Sequence, residues 1–145
     1  MFHVILFWLL KTAIFGCVGL ILENLFTGLH SVIILKSRDA ICRTSLWMIP
    51  IYGLGGDGLA FLRYLLPWMI LFVPVATGCI FMAEYATGWL LRRFGIKVWD
   101  YSHAKYGIHG LIRLDYLPFW MMVALGYDLL VDILDKVLRF AGSLA

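Results

Sequence analysis

Charge is scarce in this sequence: Asp, Glu, Lys and Arg make up 14% of its 145 residues, against about 25% in globular proteins. The remainder is dominated by apolar side chains, 63% of the total, where a soluble domain holds roughly 45 to 50%. A chain so poor in charge cannot dress a surface for water, so it reads as an integral membrane protein with no room for a separate soluble domain. Other absences narrow the function. Cys17, Cys42 and Cys79 share no CxxC spacing, which argues against zinc or dithiol redox chemistry, and no metal or cofactor is expected. The net charge of +3 is spread over helix ends and loops without forming a basic face, so no nucleic-acid partner is expected. The first Lys comes only at position 11. The basic n-region of a signal peptide is therefore missing, and the first apolar run reads as an anchor that stays. The I-F-G-C ending at Cys17 makes a poor lipoprotein box, because the apolar run continues through it. No nucleophile elbow, HExxH or ATPase motif appears.

A transmembrane helix needs about 20 mostly apolar residues, and four windows supply them, at about 5–30, 45–62, 67–91 and 114–134. The expected fold is an all-α integral membrane protein with four transmembrane helices in a single domain over 1–145. Residues 94–115 are too polar to span, and their mixture of aromatics and charge suits the headgroup layer; they are expected to form an ordered interfacial loop between helices three and four. In the second window, Pro50 and the four glycines of residues 53–58 predict a kinked or partly unwound span. Gly53, Gly55 and Gly58 also match GxGxxG, but no strand precedes them and no βαβ unit surrounds them, so dinucleotide binding is rejected.

The polar residues inside the windows are the candidate functional ones, because a charge at mid-membrane costs at least ~2.5 to 3.5 kcal/mol. In the first window Gly16, Gly19, Glu23, Thr27 and His30 are separated by 3, 4, 4 and 3 residues, which aligns them on one helical face. Small residues admit a second helix and polar ones must face protein or water, so this face turns inward. Lys11 lies at the interface or snorkels toward it. Tyr52 and Asp57 are candidates in the second window, Glu84 and Thr87 in the third. Trp99, Asp100, Tyr101 and Ser102 form a compact interfacial motif. Asp128 lies deep in the fourth window, whereas Asp132–Lys136 and Asp135–Arg139 are i,i+4 surface pairs.

The halves share a layout. Glu23 with Thr27-Gly28, then Leu46, Pro50, Ile51 and Tyr52, answers Glu84 with Thr87-Gly88, then Leu114, Pro118, Phe119 and Trp120. This predicts two parallel two-helix repeats about an axis along the membrane normal, with Glu23 and Glu84 facing across it as a shared polar centre. Eight Lys and Arg fall in the two loops at 36–45 and 92–113, and four elsewhere. The positive-inside rule places those loops in the cytoplasm, of a plasma (inner) membrane, and both termini outside.

Gly19, Glu23, Phe26 and Thr27, then Trp47, Ile51, Tyr52 and Gly53, and above all Glu84, Thr87 and Gly88 followed by Trp99-Asp100-Tyr101-Ser102, Gly110, Ile112 and Leu114, carry a family likeness over about residues 15–130. The chain resembles the transmembrane protein 229 family and its bacterial relatives, the CmpB-type type IV ABC-transporter permeases. Leu111 and Arg113 stand outside the shared pattern. The resemblance implies a small multi-pass membrane subunit and transfers no catalytic residue. Three functions stay open at this point: a permease-like or transport-associated module with an intramembrane carboxylate centre, a membrane enzyme acting on a lipid or lipid-linked substrate at the cytoplasmic interface, and a structural or regulatory subunit. The expected partners are the lipid bilayer and either further copies of the chain or other subunits of a membrane complex.

Overall fold

The computed structural model describes residues 2–34 and 36–143. It contains four helices: α1 (Phe2–Ile33), α2 (Met48–Leu65), α3 (Met69–Arg93) and α4 (Leu117–Ser143), the last entered through a 3-10 turn at Leu114–Tyr116. Three segments are long and apolar enough to cross a bilayer, Ile5–Ile33, Met69–Arg93 and Leu114–Leu134. Their large apolar side chains are mostly exposed, among them Leu25, Ile70, Met82 and Leu129. In water that would be costly; against lipid tails it is the ordinary state of a spanning helix.

α2 is shorter and carries Asp57 and Arg63, and it is not among those three segments. The unwinding expected of it is absent: the helix runs unbroken from Met48 to Leu65. Pro50 is its third residue, where a backbone N–H has no partner within the helix anyway.

The chain divides into two compact units, Met1–Gly58 and Leu59–Ala145. In the first, α1 and the start of α2 meet main chain to main chain. A Cβ on Gly16 would lie 2.6 Å from the Ile49 carbonyl oxygen, and one on Gly53 2.7 Å from that of Thr12. Gly19 and Gly56 are covered by the rings of Tyr52 and Phe15. The inward small-residue face read from α1 is thus met by a matching one on α2. Lys11 is buried at 5% exposure, with its ammonium 5.5 Å from the Trp8 ring and 5.8 Å from that of Phe15.

In the second unit α3 packs on α4, and Phe72, Ala76 and Ala124 are fully buried. Arg63 Nε donates to Asp128 Oδ1 at 2.6 Å, Nη1 donates to the Leu66 carbonyl at 3.1 Å, and the guanidinium lies over Phe72. The deep acid of α4 therefore has a cation. Asp132 and Lys136 pair as expected; the side chains of the Asp135–Arg139 pair lie outside the described residues. The loop between α3 and α4 contains one element the sequence did not predict, a hairpin of β1 (Gly107–Ile108) and β2 (Ile112–Arg113), paired Gly107↔Arg113 and Ile108↔Ile112. His109 and Gly110 both have positive φ, +52° and +67°, and the Leu111 N–H donates to the Ile108 carbonyl at 2.9 Å. That is a type I′ turn, whose twist suits a hairpin. His-Gly occupies the place where Asn-Gly would have announced it.

Candidate functional site

Two polar constellations stand out, one in each unit. In the first unit the Glu23 carboxylate accepts hydrogen bonds from the hydroxyls of Thr44 and Tyr52. Thr44 comes from the loop after α1 and Tyr52 from α2, so one carboxylate joins three segments. Four residues along α1, the Thr27 hydroxyl donates back to the Glu23 and Asn24 carbonyls at 2.9 and 3.2 Å. Its oxygen accepts the Arg43 N–H at 3.1 Å. Gly28, next in sequence, leaves room for the Cys42 sulfur, which a Cβ there would meet at 3.0 Å. The 36–45 loop is thereby pinned along the last turns of α1. About three turns earlier, the Thr12 hydroxyl donates to Asp57 Oδ2 at 2.5 Å. Asp57 Oδ1 is buried without a hydrogen-bond partner among the described residues.

The second unit is organised around the end of α3. The Thr87 hydroxyl donates to the Ala83 and Glu84 carbonyls at 2.7 and 3.3 Å, the same back-bonding that Thr27 makes. Gly88 follows, and a Cβ on it would lie 2.8 Å from Trp99 Cζ2 and 2.9 Å from Leu111 Cδ2. The Trp99 indole N–H donates to the Leu111 carbonyl at 2.8 Å, so the ring is fixed as well as packed against the helix. One turn on, Arg92 donates through Nη1 to the His109 carbonyl at 2.9 Å and through Nη2 to the Gly110 carbonyl at 2.7 Å. The Tyr101 N–H shares the Gly110 carbonyl at 2.9 Å, and Tyr85 meets His109 Nδ1 at 3.0 Å. The hairpin tip is thus held to the helix largely through its own peptide groups.

Asp100 closes this arrangement. Lys97 Nζ donates to its Oδ2 at 2.6 Å, the Ser102 hydroxyl and N–H donate to its Oδ1 at 2.5 and 3.0 Å, and Arg92 Nη2 lies 3.5 Å away. The Lys97 hydrogen bond, reinforced by those of Ser102, holds the carboxyl far below the usual carboxylate range. With Gly95 and Ile96 these residues line a shallow cleft of about 290 Å³. Beyond it, Arg113 binds Asp115 through two nitrogens, at 3.1 and 2.5 Å, which holds its guanidinium still more firmly protonated. Its plane lies 4.3 Å over Tyr116, whose ring meets Tyr101 edge-on.

The geometry is that of a membrane helix pair with its own polar buttress, and the sequence comparison agrees. The sequence model of the family described as "Putative ABC-transporter type IV" matches residues 8–142. The chain belongs to this family. Membership and its bilayer-length helices make it a transport-associated integral membrane protein. No solved structure matches it. The motif likeness to the transmembrane protein 229 family stays a resemblance.

For this type IV chain, the structure brings Glu23, Thr27 and Tyr52 together in one cluster, with Asp57 in a separate contact to Thr12. Trp99, Asp100, Tyr101 and Ser102 join one docked loop on the helix that carries Glu84 and Thr87. Three contributors play roles that the sequence reading did not assign, Gly110 among them although it belongs to the shared family pattern. Thr44 looked like an ordinary loop residue. Leu111 was set aside, yet it is 3% exposed and its carbonyl holds Trp99. Gly110 carries a positive φ, and a Cβ on it would strike the Ser102 hydroxyl at 2.5 Å. A Gly two residues before Ile112 in a polar loop was the available signal for a tight turn.

Proposed function

We propose that this type IV family chain is a permease-like membrane module, a single four-helix domain whose working polar residues are Glu23, Thr27, Tyr52 and Asp57 in the first unit and Glu84 and Thr87 in the second. The observation that carries the reading is Glu23: an acid inside an apolar helix, engaged by hydroxyls from two other segments. Intramembrane acids that line a path are held in this way, by polar groups that can exchange for water or a passing solute. α2 is the fourth span, tolerated despite Asp57 and Arg63 because both bind protein groups. The matching Thr-Gly steps support a parallel repeat. In each unit the Thr bonds back to its own helix and the Gly accepts the following loop. Both loops face the cytoplasm, and the protein sits in the plasma membrane. Four helices enclose little space, so the module works as an oligomer or with separate energising subunits.

A structural or regulatory subunit is the second reading, favoured by the saturation of Asp100 by Lys97 and Ser102. The same saturation weakens the enzyme reading, since its central interfacial acid is already engaged. Substituted-cysteine accessibility separates these functions. In a background with Cys17, Cys42 and Cys79 replaced by Ala, single cysteines at Glu23, Tyr52, Asp57 and Thr87 are treated with a charged thiosulfonate from either face of the membrane. A water-filled path predicts modification at these positions and none at Met82, which is exposed to lipid. Uniform protection of all four overturns the permease reading.

A further inference from the structure

Of the cations at the loop end of the second unit, most are spent inside the fold: Arg92 on carbonyls, Lys97 on Asp100 and Arg113 on Asp115. Two are not. Arg93 and Lys105 have no carboxylate partner among the described residues, and each rests on an aromatic ring. The Arg93 guanidinium lies 4.3 Å from the Trp89 ring centre and the Lys105 ammonium 5.2 Å from that of Tyr106. Both rings are themselves about half exposed. A cation on a ring face is oriented while keeping its N–H groups available at the outer edge.

We propose that Arg93 and Lys105 form a docking surface for the phosphate groups of anionic phospholipids. This inference is independent of the permease reading. Depth decides the class of partner. Trp89 lies in the last turns of a bilayer-length helix, flanked by exposed Leu90 and Phe94, so the ring and its guanidinium sit where acyl chains give way to headgroups. A soluble polyanion does not reach that level, whereas a lipid phosphate is fixed there. Lys105 belongs to the loop that Trp99 and Arg92 dock on the same helix end, and in this proposal its exposed ammonium joins the Arg93 guanidinium as a second phosphate donor. A guanidinium edge offers paired donors to phosphate oxygens, and the flanking apolar side chains receive the acyl chains.

Native mass spectrometry of the full chain, released from detergent after incubation with equal phosphatidylglycerol and phosphatidylcholine of the same acyl composition, tests the assignment. Two basic residues at about 1 kcal/mol each correspond to a preference of roughly 30-fold for the anionic lipid. Arg93→Gln with Lys105→Gln is expected to bring retention close to parity. Lys136→Gln, at the far end of α4, is expected to keep the preference. Both altered side chains are outward-facing, and unchanged helical circular dichroism confirms that the double variant folds. An undiminished preference in the double variant overturns the proposal. Displacement of the bound lipid by millimolar inorganic phosphate overturns it too, because the ligand would then be free phosphate.

Discussion

Gly53 and Gly55 lie two residues apart on α2, yet an added methyl group meets opposite surroundings at each. On Gly53 it would lie 2.7 Å from the Thr12 carbonyl oxygen and 2.9 Å from Thr12 Cγ2; on Gly55 it meets nothing within 4 Å. The Thr12 methyl can rotate away. The carbonyl cannot, because it belongs to the backbone of α1. Gly53→Ala must therefore push the two helices apart by several tenths of an ångström, and strain of this kind costs about 1 to 3 kcal/mol. Both substitutions gain the same helix propensity, up to about 1 kcal/mol, so that term cancels when the variants are compared. Gly55→Ala is expected to be neutral or stabilising, and Gly53→Ala less stable than it by about 1 to 3 kcal/mol. Unfolding in mixed micelles by a rising fraction of sodium dodecyl sulfate, followed by circular dichroism, gives the two midpoints. Equal stability of the two variants would refute the close approach of α1 and α2.

Gly88→Ala is expected to destabilise by about 1 to 3 kcal/mol in the same assay, with the loss shrinking in a Trp99→Ala background, where the nearest clashing atom is gone. Trp99→Phe keeps an aromatic ring but removes the donor to Leu111, whose share of the loss is about 0.5 to 1.5 kcal/mol; faster amide exchange over residues 99–111 would report the looser loop. Asp128→Asn leaves Arg63 without its carboxylate. Because the two side chains are partly exposed, about 1 to 3 kcal/mol is expected, below the 3 to 5 typical of a fully buried pair, with recovery in the Arg63→Met, Asp128→Leu double variant. Asp100 has a folded pKa depressed below its unfolded value near 3.9, so its contribution to loop docking is present above that value and lost as pH falls toward the folded one. The fluorine resonance of 5-fluorotryptophan at position 99, assigned by Trp99→Phe, should stay constant from pH 8 to about 4, and a transition between pH 5 and 7 would contradict the Lys97 and Ser102 contacts.

The three apolar helices were legible because bilayer thickness writes itself into sequence as uninterrupted apolar length. The inward face of α1 was legible for a related reason: Gly16, Gly19 and Glu23 recur at helical spacing, and only protein contact makes sense of that in lipid. α2 does not unwind at its glycines as propensity alone predicts, because Gly53 and Gly56 are compensated by the α1 surfaces they admit. The hydroxyl of Thr44 on Glu23 and the pairing of Arg63 with Asp128 join residues 21 and 65 positions apart, and no local pattern announces contacts at that range. The docked loop was half legible. Trp99 to Ser102 stand out as a dense cluster, but Trp99 and Tyr101 are held by the backbone carbonyls of Leu111 and Gly110, and a carbonyl leaves no mark in a one-letter code.

That last point bears on how such a loop can change. Arg92 and Tyr101 grip peptide groups that every residue type supplies, and the outward positions, His103, Lys105, Tyr106 and Ile108, take no part in that grip. Substitution at these four places alters the exposed face of the loop while its anchorage stays put. Gly110 is the fixed pivot, since any side chain there collides with Ser102 and Asp100. The segment is a mount with an interchangeable face, whose outward side chains can be exchanged singly while helix packing stays untouched.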